Sequence, residues 1–115
     1  MLGYALAAAA FSLAAGPALA QDGGALFNMR CKMCHQAAST PLGPALTGVA
    51  GAKIAARPDF TYSPALKAKE GAWTDANLDA FLKAPMAFAP GARMQAPVPA
   101  DDARAAIVAY LHTLK

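Results

Sequence analysis

Near the C-terminus, Ala103, Ala106, Ile107, Tyr110, Leu111 and Leu114 recur at spacings of three and four, the period of one helical face. This stripe predicts a helix over residues 102–114. Asp101 and Asp102 sit where a helix N-terminus favours negative charge, and Lys115 where its C-terminus favours positive charge. A second stripe of Gly23, Leu26, Phe27, Cys31 and Cys34 predicts a first helix over residues 22–34. Each stripe needs an apolar partner. Gly23 together with Ala106 or Ala109 is small enough for two helices to cross closely, so the terminal helices are predicted to pack on each other. Between them, Thr74 is a candidate N-cap for a helix that carries Leu78, Phe81 and Leu82 inward and stops at Pro85. A shorter helix over residues 64–70 opens on Pro64 and stops at Gly71. No alternating run is long enough for a useful strand, so the pattern predicts an all-α fold of about four helices.

Residues 1–20 carry no charged side chain, are rich in Ala and Leu, and end in Ala18-Leu19-Ala20. They read as a signal peptide cleaved before Gln21, although no Lys or Arg precedes the apolar run. The run is short for a membrane span and is interrupted by Ser12, Gly16 and Pro17, which favours cleavage over an uncleaved anchor. The expected organisation is a leader over residues 1–20 and one domain over residues 21–115. All Lys, Arg, Asp and Glu residues lie beyond the leader, so that domain keeps the net charge of +3. Such a modest excess argues against nucleic acid as a partner. A domain this small has a marginal protein-only core, and residues 36–58 and 84–99 are Gly- and Pro-rich loops. Loops of that length suit a chain wrapped around a bound group that stabilises only the native state, so folding without the group is expected to be poor.

Cys31-Lys32-Met33-Cys34-His35 indicates what that group is. A C-x-x-C-H sequence is the attachment motif of a c-type haem: two thiols can add to the vinyl groups of one porphyrin while the adjacent imidazole reaches its iron. A thioredoxin-like pair would want a preceding strand, which residues 24–30 do not provide. A structural zinc site would want a second Cys/His cluster, whereas His112 is the only other histidine. A disulfide across two residues would restrict the unfolded chain little. Haem attachment needs free thiols and accords with export to the periplasm. For the sixth iron position the candidates are Met94, Met86, His112, Met29, Met33 or none. Met29 and Met33 flank the attachment segment and cannot cross the ring, His112 falls on the polar side of its helix, and Met86 beside Pro85 reads equally as a packing residue.

Taken in order, Gly23, Phe27, Cys31-x-x-Cys34-His35, Gly43-Pro44-x-Leu46-x-Gly48-Val49, Phe60-x-Tyr62-Ser63, Trp73-Thr74, Leu78-x-x-Phe81-Leu82-x-x-Pro85, Pro90-Gly91-x-Arg93-Met94 and Ile107-x-x-Tyr110-Leu111 resemble a class I cytochrome c of the mitochondrial and bacterial short type. The resemblance spans nearly all of residues 22–115. It implies a cytochrome c fold with crossed terminal helices and long loops around one covalent haem c. His35 and Met94 would be the axial iron ligands, Cys31 and Cys34 the thioether anchors, and the Pro44 carbonyl the group that orients the His35 ring. Tyr62 and Trp73 would direct their O–H and N–H to a propionate; aromatic core is their alternative role. The chain departs from the commoner family residues at Ala52, Leu66, Phe81, Ala92 and Ala96, which removes an arginine, a hydroxyl and an edge-shielding aromatic.

The resemblance implies a soluble monomeric electron carrier of the periplasm, cycling between Fe(III) and Fe(II) and not an enzyme. Its partners would be a quinol-oxidising membrane complex and a terminal oxidase, reaction centre or peroxidase. No catalytic residue stands out, since Ser39 and Ser63 lack a nucleophile context. The rival expectations are a dedicated haem subunit of a periplasmic dehydrogenase, or a weak peroxidase or ligand sensor if Met94 dissociates. Lys32, Lys53, Lys83 and Arg93 are expected to border the haem opening and steer the protein to acidic surfaces.

Overall fold

The structure, a computed structural model, describes Gly3 and residues 22–115. Apart from Gly3, the predicted leader and its cleavage point lie outside the described residues. Among the described residues five helices follow in order: α1 Gly23–Arg30, α2 Pro64–Lys67, α3 Asp75–Lys83, α4 Pro85–Phe88 and α5 Asp101–Leu111. Among the described residues there is no strand, only isolated bridges pairing Thr40 with Gly43 and Lys53 with Ala72. No described helix is long and apolar enough to cross a membrane.

Asp22 caps α1, its carboxylate accepting from the Ala25 N–H at 3.2 Å. The helix ends a turn earlier than its stripe predicts. The N–H groups of Cys31 and Lys32 both fall on the Phe27 carbonyl, and those of Cys34 and His35 both on the Cys31 carbonyl. Shared acceptors of this kind tighten the chain, so residues 31–34 form a compact turn in place of another helical turn. At the other end of the chain, α5 also stops short, at Leu111, because Thr113 and Leu114 donate three residues back to Tyr110 and Leu111. The Leu114 carbonyl then accepts from the Gly48 N–H at 2.7 Å and ties the chain end to the first long loop.

The predicted crossing of the terminal helices is present. A Cβ on Gly23 would stand 2.2 Å from the Ala106 carbonyl oxygen, and the rings of Phe27 and Tyr110 pack with centroids 5.1 Å apart. Thr74 caps α3 by accepting from the Asn77 N–H at 3.2 Å, as its position suggested. Pro85 does end α3, but it also opens α4, a fifth helix absent from the sequence reading. A residue that lacks an N–H suits a first helical turn as well as a stop. On α2 the Ser63 hydroxyl accepts from the Leu66 N–H, and the helix closes at Lys67.

Candidate functional site

Apolar residues of α2, α3 and α5 and the turn after α1 face one another without filling the space between them. They and the two long loops enclose a cavity of about 720 Å³, within the roughly 300–1,000 Å³ typical of sites for organic ligands. Leu46, Leu66, Leu78, Phe81, Leu82 and Ile107 line its wall. A small domain normally packs its core solid, so a space of this size at the centre is a place for a large apolar group.

The turn after α1 supplies one reactive edge of the wall, where Cys31, Cys34 and His35 all line the cavity. Both thiols are free; Cys31 is buried and Cys34 exposed. Burial pushes the Cys31 thiol up, against the pull of the neighbouring Arg30 charge. The Nδ1 of His35 lies 2.8 Å from the Pro44 carbonyl oxygen. A carbonyl can only accept, so Nδ1 carries the hydrogen and Nε2 keeps its lone pair. Burial also lowers the imidazole pKa, with the Pro44 hydrogen bond acting the other way, which favours the neutral ring that a metal requires. Gly43 lets this pair approach: a Cβ there would stand 2.6 Å from the Cys34 carbonyl oxygen and 3.2 Å from the His35 ring.

Residues 89–100 cross another part of the wall as a strap joining α4 to α5. The Ala92 N–H donates to Ala89 at 2.9 Å around Pro90 and Gly91, and Gly91 adopts a φ of 84°. This is a turn that needs glycine at its third position. Two residues later Met94 lines the cavity. The other described methionines do not: Met29, Met33 and Met86 are 76%, 81% and 49% exposed. His112, the residue that ends α5, is also outside, its Nε2 2.6 Å from an Asp75 carboxylate oxygen, in keeping with the surface role suggested by its place on the polar side of the predicted helix. Tyr62 and Trp73 both line the cavity, Trp73 being buried. Burial pushes the Tyr62 phenol up, partly countered by the Arg57 backbone.

These residues suit a c-type haem. Two unpaired thiols and a tied imidazole line one edge, the only described methionine in the wall offers a soft thioether, and the remaining surface is largely apolar. Of the four cations expected around the opening, Lys53 and Arg93 line the cavity, whereas Lys32 and Lys83 are exposed outside the wall. Arg30 and Arg57 line it too, and neither stood out in the sequence. Arg57 forms a two-point fork with Asp59 at 3.0 and 2.9 Å. An Arg-Pro-Asp run in a loop was the only available signal for it.

The cytochrome c family profile matches residues 20–115. Cytochrome c2 of Rhodomicrobium vannielii is 37% identical over 98% of this chain and 91% of its own length. Cytochrome c-type cyt cy of Rhodobacter capsulatus is 40% identical over 83% of this chain, which spans only 49% of that longer protein. Cytochrome cH from Methylobacterium extorquens superposes with a TM-score of 0.73 at 35% identity, covering 82% of this chain and 97% of that one.

Proposed function

The chain belongs to the cytochrome c family, whose members carry one covalent haem c, and from that premise we propose that it is an exported electron carrier with His35 and Met94 as axial ligands. The observation that carries this reading is the membership of one cavity wall. Cys31, Cys34, the Pro44-tied His35 and a single described methionine line the same space, while the rival donors Met29, Met33, Met86 and His112 stay outside it.

The bound haem supplies a one-electron Fe(III)/Fe(II) couple. What the chain adds is position and environment. Cys31 and Cys34 hold the group covalently to the turn after α1. Pro44 fixes the tautomer of His35 so that Nε2 donates, the second-sphere contact that a ligating imidazole needs. The Met94 thioether favours reduced iron and raises the potential. With His35 and Met94 both holding the iron, small molecules would be kept from it and outer-sphere electron transfer would be the chemistry it supplies. The apolar wall excludes water, and the fixed ligands keep reorganisation small. Tyr62 and Trp73 offer their polar ends to the propionates. Partners are a membrane quinol-oxidising complex on one side and an oxidase, reaction centre or peroxidase on the other, met in the periplasm by a monomeric carrier.

The test is a ferric optical spectrum and a redox titration of holoprotein expressed with its own leader in a host that attaches haem. The expected result is a methionine-to-iron absorption band and a reversible one-electron transition, with the band lost in Met94→Ala and kept in Met86→Ala. Loss of the band in Met86→Ala alone would overturn the ligand assignment.

A further inference from the structure

Arg104, on α5, is charged and yet only 3% of its side chain is exposed. Every arm of its guanidinium is engaged. Nε donates to Asp79 of α3 at 2.8 Å, Nη2 donates to Asp101, and Nη1 donates to the carbonyls of Val98 at 3.0 Å and Pro99 at 2.8 Å. One planar group thus joins α5 and α3 to the downstream end of the strap that bears Met94.

The rest of the strap has few ties of its own. Upstream, Arg93 donates to the Thr61 carbonyl at 2.8 Å beyond the 89–92 turn. Downstream, the Val98 N–H donates to the Leu82 carbonyl at 2.8 Å, and Val98 is 3% exposed. Between these anchors no hydrogen bond to another described backbone group holds Met94, Gln95, Ala96 or Pro97. The placement of Met94 therefore depends on how firmly the two ends are held.

We propose that Arg104 is a positioning residue for Met94, fixing the Val98–Pro99 end of the strap and so limiting how often the thioether leaves the cavity. The inference rests on Met94 being the iron ligand. Arginine suits the task because its fork meets acceptors in set directions, whereas an ammonium offers one point of charge and cannot hold Asp79 and two carbonyls in the same geometry. Burying the charge adds little net stability compared with an apolar side chain of similar size. What it contributes is a fixed relation between two helices and the strap.

Imidazole titration of the ferric holoprotein, well below its thermal midpoint, tests this. Imidazole reaches the iron only when Met94 has left, so its apparent affinity scales with the open fraction. Arg104→Lys is expected to raise that affinity by about tenfold or more, the scale of one lost charge-assisted hydrogen bond, with the methionine-iron band retained when imidazole is absent. Asp79→Asn leaves both carbonyl contacts in place and is expected to give a smaller rise, and it serves as the test if Arg104→Lys yields no holoprotein. Thr74→Ala, which removes the N-cap of α3 and none of the Arg104 contacts, is expected to lower the thermal midpoint without changing imidazole affinity. The proposal is overturned if the arginine and aspartate variants bind imidazole as the wild type does, or if Thr74→Ala raises the affinity as much as Arg104→Lys. Met94→Ala separates the two readings: unchanged affinity and an intact band there would remove the ligand assignment itself.

Discussion

The carbonyl oxygen of Ala106 lies 2.2 Å from the point where a side chain on Gly23 would begin, so α1 and α5 touch backbone to backbone. Their crossing holds the turn over residues 31–35 close to α5, whose Ile107 and Leu111 line the same cavity. Gly23→Ala must push the helices apart, because the obstructing atom is main chain. The expected loss is about 1–3 kcal/mol, the usual cost of overpacking a closed contact. Thermal unfolding of the holoprotein measures it, and an unchanged midpoint would show that the helices can separate at no cost.

Cys31 is buried and Cys34 exposed, both in the turn that the Phe27 and Cys31 carbonyls tighten. Either one replaced by Ala is expected to lower the yield of covalent holoprotein strongly, and both together to abolish haem that resists acid-acetone extraction. Equal extraction-resistant haem in the double variant and the wild type would contradict covalent attachment at this turn.

The helices legible in the sequence are those whose signals are local. Thr74 precedes a helical stripe and caps it, Pro64 opens a short helix, and Gly23 faces Ala106 because small residues mark a close crossing. Pro85 misled because the same missing N–H that stops one helix starts the next. The C-x-x-C-H motif identified one edge of the cavity. Its other walls come from residues far apart in the chain, and Met94 was singled out only through the family resemblance. Arg104 was not legible: its burial depends on Asp79 and on the Val98–Pro99 carbonyls, and a lone arginine on a helix carries no mark of such distant partners.

The Arg57 fork holds the Asp59 carboxyl below the ordinary carboxylate range. A carboxylate whose pKa is depressed on folding adds stability that is complete above its unfolded value of about 4 and is lost as pH falls through the folded value. Both side chains are more than a third exposed, so solvent screens the pair and the contribution is small. The thermal midpoint of Asp59→Asn should lie slightly below wild type at neutral pH, and the two should converge in acid. Curves that stay parallel from neutral pH into acid would show that the fork does not contribute to folding.

The cavity wall contains Arg30, Lys53, Arg57 and Arg93 but only one carboxylate, Asp59, which Arg57 already engages. Asp75, Asp101 and Asp102 instead occupy the first turns of α3 and α5. Positive charge is therefore concentrated around the opening even though the net excess is only +3, and this asymmetry should steer encounter with an acidic redox partner. Second-order rates are expected to fall with added salt as the Debye length shrinks from roughly 30 Å at 0.01 M to about 10 Å at 0.1 M. Lys53→Glu is the informative reversal, since Lys53 lines the cavity and takes no part in holding the Met94 strap, unlike Arg93 with its bond to Thr61. It should slow encounter and leave the optical spectrum unchanged. Lys83→Glu, outside the wall, should have the smaller effect. Stopped-flow rates that ignore ionic strength, or that respond equally to both reversals, would place the docking surface elsewhere on the molecule.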